Sequence, residues 1–343
     1  MRHARGVPRP TSRPSARRSA GVATAVVTLI VAAGAAVGTQ PQLFGLSGAR
    51  PFVWSVPFRV PVGLGTAAAA AVLGLAGLRW RRVLPAATVL AVAAAGSLGV
   101  TAARGVSAGS LPVARPGDVT VLAANVFVAA VRPQVVADMA LDAGADVVSL
   151  PETTQELADA VAQRIEAGSG RPVQVFFLPD RDYRGTYGTA LLVSDRWGEY
   201  RATGELDTGI KAVVTAEPVS GEGPVLAAAH TAAPVPERLT AWAAEVAAVA
   251  DWCARTPRSL LAGDLNATLD HPGLALTGSC VDAGEQTGTG ARGTWPVRLP
   301  ALAGATIDHA LADGDSWRAV GTQVRELPGS DHRALLSRWR PVS

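Results

Sequence analysis

The sequence has 343 residues, enough for one large domain and a second, smaller unit, and its formal net charge of +3 averages two unlike parts. All 28 Asp and Glu lie after position 117, whereas 12 of the 31 Lys and Arg fall within residues 1–111, so 19 basic residues face 28 acidic ones downstream, a net of −9. That acidic part has a single lysine, Lys211, and argues against avid, nonspecific nucleic-acid binding, which draws on clustered Lys and Arg.

Residues 1–19 form a basic tail with six Arg. A membrane region over residues 20–104 follows, with charge-free apolar stretches at about 20–38, 60–78 and 84–103. Each is long enough for a helix to cross roughly 30 Å of hydrocarbon. None shows the polar face of a soluble helical bundle, and none holds the buried charge pairs of a channel or transporter. The Arg-rich tail and the group Arg79, Arg81 and Arg82 should stay cytoplasmic, so three crossings place the rest of the chain outside the cytoplasm. The loop 39–59, with Arg50 and Arg59 and no acid, runs against that bias without reversing it. Cys253 and Cys280 both lie in the exported part, where a disulfide is permitted; two buried free thiols are the alternative, and the spacing does not decide.

Residues 105–116 read as a Gly, Ser and Pro linker, and 117–343 as one domain. Strands are predicted at 119–126, 146–150, 173–178, 188–194, 212–217, 225–230, 305–311 and 334–339, with a further one opening the stretch SLLAGDLNATLD at Ser259. Helices are predicted at 133–143, begun by a proline in its first turn, at 154–166 and at 236–255. Many strands, hairpins such as the one turning at SGEGP, and few helices indicate an α+β sandwich of two mainly antiparallel sheets covered by helices. Gly263 is read as the bend that lets the chain leave the sheet ahead of Asp264.

Polar residues recur where these strands end. Asn125 closes the first, Glu152 the second and His230 the hairpin; Asp264 and Asn266 follow SLLAG, Asp308 sits in IDHAL, and Asp331 with His332 precede the last strand. Each taken singly is a common turn former, helix-end residue or core histidine. Side chains at one end of neighbouring strands converge, and together they predict a shared pocket.

The series Asn125, LPE, HTAAP, GDLNA, IDHAL and SDH resembles the endonuclease/exonuclease/phosphatase superfamily, the deoxyribonuclease I-like phosphoesterases, over about residues 119–339. It departs from the family pattern at Pro151, where Gln is usual before the glutamate. The resemblance implies a four-layer α/β/β/α sandwich and one or two Mg²⁺ or Mn²⁺ ions, which the hard oxygen donors suit better than zinc. It implies Glu152 and Asp331 as metal ligands with Asn125 near their shell, and Asp264 orienting or deprotonating the attacking water. Asn266 would fix that water or donate to phosphate. His332 aligned by Asp308 would stabilise phosphoryl charge, and His230 would contact phosphate or protonate the leaving group. The family's glutamate partner for His230 has no clear counterpart in RDYRGTYG, where Asp182 is the nearest acid.

A membrane tether favours a lipid or envelope phosphoester over extracellular nucleic acid, although Arg181 and Arg184 could build a local anion patch. A catalytically inactive binding module is the non-enzymatic alternative, and it would be marked by loss of one of these residues. The loop 284–300 is either a substrate wall presenting Trp295 or a loop that this tryptophan anchors in the core.

Overall fold

The computed structural model describes residues 14–181, 186–206, 209, 211–274 and 276–342. Asp182 and Arg184 lie outside the described residues, as do the first 13.

Three long helices come first: α1 (Pro14–Thr39), α3 (Arg59–Gly77) and α4 (Leu84–Arg104). By length and composition all three can cross a membrane. Between α1 and α3 the chain makes a 3-10 turn at Pro41–Phe44, a one-turn helix α2 (Phe52–Ser55) and a second 3-10 turn at Val56–Phe58.

The domain that follows has two six-stranded sheets. One contains β1 (Val119–Ala123), β2 (Val147–Thr153), β3 (Val173–Pro179), β4 (Gly188–Ser194), β11 (Trp317–Glu326) and β12 (Arg333–Pro341), in the order β11-β12-β1-β2-β4-β3. The other contains β5 (Tyr200–Glu205), β6 (Val213–Pro218), β7 (Val225–His230), β8 (Ser259–Asp264), β9 (Cys280–Asp282) and β10 (Asp308–Asp313), in the order β5-β6-β7-β8-β10-β9. Each sheet has one parallel pair, β1 with β2 and β7 with β8, and every other pairing is antiparallel. A parallel pair needs a crossover. Helix α5 (Pro133–Ala143) supplies the first and α7 (Leu239–Arg255) the second.

Strand alternation builds the layers. Val121 and Leu191 point between the sheets against Val214 and Leu260, while Leu122 and Leu192 point outward to α5 and to α6 (Gln155–Ser169). On the far side Leu261 and Leu311 meet Trp242 and Val246 of α7. The result is the expected four-layer α/β/β/α sandwich with three long apolar helices ahead of it. Helix boundaries follow local chemistry: Pro133 opens α5, Thr154 caps α6 by accepting from Leu157 N, and left-handed Gly144 and Gly170 close them. A short helix α8 (Ala283–Thr287) follows β9, and a disulfide joins Cys253 of α7 to Cys280.

One local expectation is corrected. Gly263 is not a bend: it lies within β8, paired with Ala229 and His309. Glycine is needed there because a Cβ would come 1.8 Å from the Ala229 carbonyl oxygen.

Candidate functional site

The carboxyl ends of both parallel pairs lie at the same end of the sandwich. The antiparallel β10 and β12 begin where β8 and β1 finish, since Asp308 pairs with Asp264 and Ala123 with Leu335. Strand topology therefore brings together all eight residues singled out in the sequence.

Asn125 is a junction. Its amide nitrogen lies 3.1 Å from Glu152 Oε1 and 2.9 Å from Asp264 Oδ2, and its Oδ1 accepts from Phe127 N at 2.9 Å. Glu152 is aimed by its backbone. Proline at 151 cannot donate to the ladder, the β2–β4 register shifts between Leu150 and Thr153, and Glu152 takes a left-handed φ of 59°. Phe127, Val128 and Ala129 are left-handed in succession, and this turn presents Val128 N to Glu152 Oε2 at 3.0 Å. Asn266 is also left-handed; its N–H donates to Asp264 Oδ1 at 2.9 Å and its side-chain amide to Thr231 O at 2.9 Å. Strained conformations of non-glycine residues cost roughly 1–3 kcal/mol each and cluster where geometry matters to function.

Two histidines flank the carboxylates. His332 Nδ1 lies 2.8 Å from Asp308 Oδ2, and its Nε2 faces Asp264 Oδ2 at 3.7 Å and Asp331 Oδ1 at 3.9 Å. Burial opposes protonation of His332, but the charges of Asp308 and Asp264 and the Asp308 hydrogen bond outweigh it and raise the imidazole to about 10. Burial chiefly raises Asp264 to about 6, with His332 pulling the other way. His230 Nε2 lies 3.8 Å from Glu152 Oε1 and 3.9 Å from Asp264 Oδ2. Its other nitrogen faces Asp180 Oδ2 at 3.7 Å.

Asp180 is the residue that sequence reasoning missed. It stands at the end of β3, fully buried, pairing with Lys211 Nζ at 2.9 Å and accepting from Ala212 N at 2.9 Å. Burial favours its protonated form, yet His230 and Lys211 together hold its carboxyl below the ordinary range. The only advance signal was an acid following an apolar strand, in FLPD.

The donor set fits a hard divalent cation. Glu152, His230 and Asp264 offer ligand atoms within 4.8 Å of one another; Asp264, Asp308 and His332 lie equally close, but His332 held protonated has no lone pair to offer. Asp331 belongs to neither group among the described residues. Its Oδ2 accepts from Trp295 Nε1 at 2.9 Å, while its Oδ1, like Asp308 Oδ1, is buried with no hydrogen-bond partner. Buried carboxylate oxygens without a donor are costly. A cation reaching either oxygen would compensate it.

Glu152, His230, Asp264, Asn266, Asp331 and His332 line a cavity of about 470 Å³. Trp295 is half-buried and belongs to none of the core clusters; it lines the cavity and donates to Asp331 Oδ2.

A family model described as the endonuclease/exonuclease/phosphatase family matches residues 122–332. No curated protein matches the chain. Among solved structures, a humanized D. rerio TDP2 is 15% identical with a TM-score of 0.51, covering 65% of this chain and 99% of its own. An endonuclease/exonuclease/phosphatase from Beutenbergia cavernae is 20% identical with a TM-score of 0.51, covering 65% of this chain and 72% of its own. At such identities the likeness is one of fold.

Proposed function

The chain belongs to the endonuclease/exonuclease/phosphatase family, and from that premise we propose that it is a membrane-anchored, extracytoplasmic phosphoester hydrolase dependent on Mg²⁺ or Mn²⁺. Residues 1–19 would be a cytoplasmic tail, 20–104 the membrane region, 105–116 a linker and 117–343 the catalytic domain. The observation that carries the reading is the meeting of Glu152, Asp264, Asp308 and His332 from both sheets around one buried cluster. The Cys253–Cys280 disulfide supports an oxidising exterior.

Glu152 and Asp331 would hold the ion with Asn125 beside them, and the bound ion would neutralise phosphate charge and charge developing on the leaving oxygen. Asp264, raised to about 6, has the basicity to orient water and take its proton near neutral pH. Asn266, fixed through Thr231, would hold that water or a phosphate oxygen. His332, kept protonated by Asp308, would donate to a phosphoryl oxygen. His230, set between Glu152 and Asp180, would contact phosphate or protonate the leaving group. A lipid or envelope phosphoester is preferred over nucleic acid, because Lys211 in the cavity wall is already paired with Asp180.

The test is a panel on the full chain in detergent micelles: bis-p-nitrophenyl phosphate, sphingomyelin, phosphatidylinositol phosphates and plasmid DNA, with Mg²⁺ and with EDTA. Turnover should require the metal, and Glu152→Gln and Asp264→Asn should each lower kcat about 100-fold or more. Absence of turnover with any divalent ion would overturn the proposal.

A further inference from the structure

Part of the cavity wall comes from a stretch of the chain outside the family match. Trp54, Pro57 and Phe58, from the connection between α1 and α3, line the cavity together with Trp295. The Phe58 and Trp295 rings lie 6.2 Å apart. The connection is integrated into the domain. Val53 is fully buried against α7 and β8 side chains, His271 Nε2 bonds to Val53 O at 3.1 Å, Trp54 Nε1 donates to Pro234 O at 2.7 Å, and Arg50 donates to Pro236 O at 2.6 Å.

Its height relative to a bilayer follows from the helix it precedes. Phe58 immediately precedes Arg59, the first residue of the 19-residue α3. At 1.5 Å per residue that helix is about 28 Å long, which matches the hydrocarbon core, so Phe58 falls at its boundary. The headgroup layer beyond is only about 5–7 Å deep on each side. A cavity walled by Phe58 and shared with Glu152, Asp264 and His332 thus opens at headgroup depth. Tryptophans such as Trp54, which is 40% exposed, favour that depth.

We propose that the connection Phe52–Phe58, with Trp295, is a subsite for the apolar part of a membrane-lipid phosphoester, which enters from the outer leaflet and places its phosphate against the catalytic cluster. This rests on the hydrolase reading above and deepens it by assigning a seat for the apolar part of the lipid. The wall offers aromatic and proline surface to an acyl chain, and of the two basic residues lining the cavity Lys211 is paired with Asp180. Its depth sets the approach of the lipid, so the substrate need not leave the bilayer.

The test has two arms on the full chain in phosphatidylcholine vesicles. In the first, kcat/KM is measured for phosphatidylglycerol in the vesicles and for bis-p-nitrophenyl phosphate in solution. Phe58→Ser should lower the ratio of the two at least tenfold, and Phe58→Leu should retain it. An unchanged ratio in Phe58→Ser sinks the subsite, as does wild-type turnover of the soluble ester or of DNA without the lipid. In the second arm, phosphatidylglycerol bearing a diazirine on its acyl chain is photolysed with EDTA present and the adducts are mapped. Adducts on residues 52–58, competed by unmodified phosphatidylglycerol, are expected. Adducts confined to the spanning helices overturn the proposal. Competed adducts at 52–58 without turnover of any ester overturn the hydrolase reading and leave the lipid seat standing.

Discussion

Asp180 and His271 show what single buried residues contribute to this site. Removing Asp180 takes away the buried carboxylate 2.9 Å from Lys211 Nζ, and breaking a buried ion pair by deleting one partner costs about 3–5 kcal/mol. Asp180→Ala should therefore lower the urea midpoint in detergent by the equivalent of at least about 3 kcal/mol. An unchanged midpoint would show that the pair carries no stability. His271 accepts from Thr268 N through Nδ1 at 2.9 Å and faces Val53 O through Nε2, so protonation would set two donors against each other. Burial is the main cause that lowers its pKa to about 4. The unfolded imidazole takes a proton near pH 6.5 and the folded one only near 4, so His271 contributes stability that is complete above 6.5 and declines as pH falls toward 4. The stability advantage of wild type over His271→Gln should shrink by up to about 3 kcal/mol between pH 7 and 4. If thermal denaturation shows a difference independent of pH, the burial argument fails. Asp180 was not legible in the sequence because its partners Lys211, just ahead of β6, and His230, in β7, are distant in the chain, and proximity in the chain pointed to Asp182. Glu152, Asp264 and His332 were legible because each stands in a short motif whose order could be read.

At the scale of elements, the site depends on how closely β7 and β8 run. The added Cβ of Gly263→Ala would strike the Ala229 carbonyl oxygen, and β7 would have to move away from β8. This displaces His230 relative to Asp264, which face each other across that pair. The substitution should cost well over ~1 kcal/mol and reduce turnover along with stability. A stable, fully active variant would show that the close approach is dispensable. The central strands were readable from their apolar runs and turn residues. Strands β5, β9 and β11 were not, for identifiable reasons: β5 carries Gly204 at a register shift, β9 has only three residues, and β11 is an edge strand broken in register between Ala319 and Gly321. Their pairing is decided by neighbours already in place.

Across the whole molecule, the third that holds the long apolar helices and the domain are joined at Asp270. Arg104 grips it with two hydrogen bonds of 2.7 and 2.9 Å, and Arg59 approaches to 2.6 Å. Arg59 also donates to Gln40 Oε1 at 3.0 Å, which gathers the upper ends of all three long helices at one level. Composition made the three long apolar helices legible, but not this junction, since the partners are 166 and 211 residues apart. It also accounts for the basic loop 39–59: its two arginines, Arg50 and Arg59, are the ones that dock onto the domain. Synthesis gives the junction a temporal side. In the proposed topology Arg59 and Arg104 must be carried across the bilayer before the ribosome has made Asp270, so their counter-charge arrives only with the finished domain. Insertion of the anchor is therefore least secure while the nascent chain is short. A reporter fused after residue 110 should show a larger misoriented fraction than one fused after residue 343, and equal fractions would mean that the arginines in the tail and second loop fix the orientation unaided.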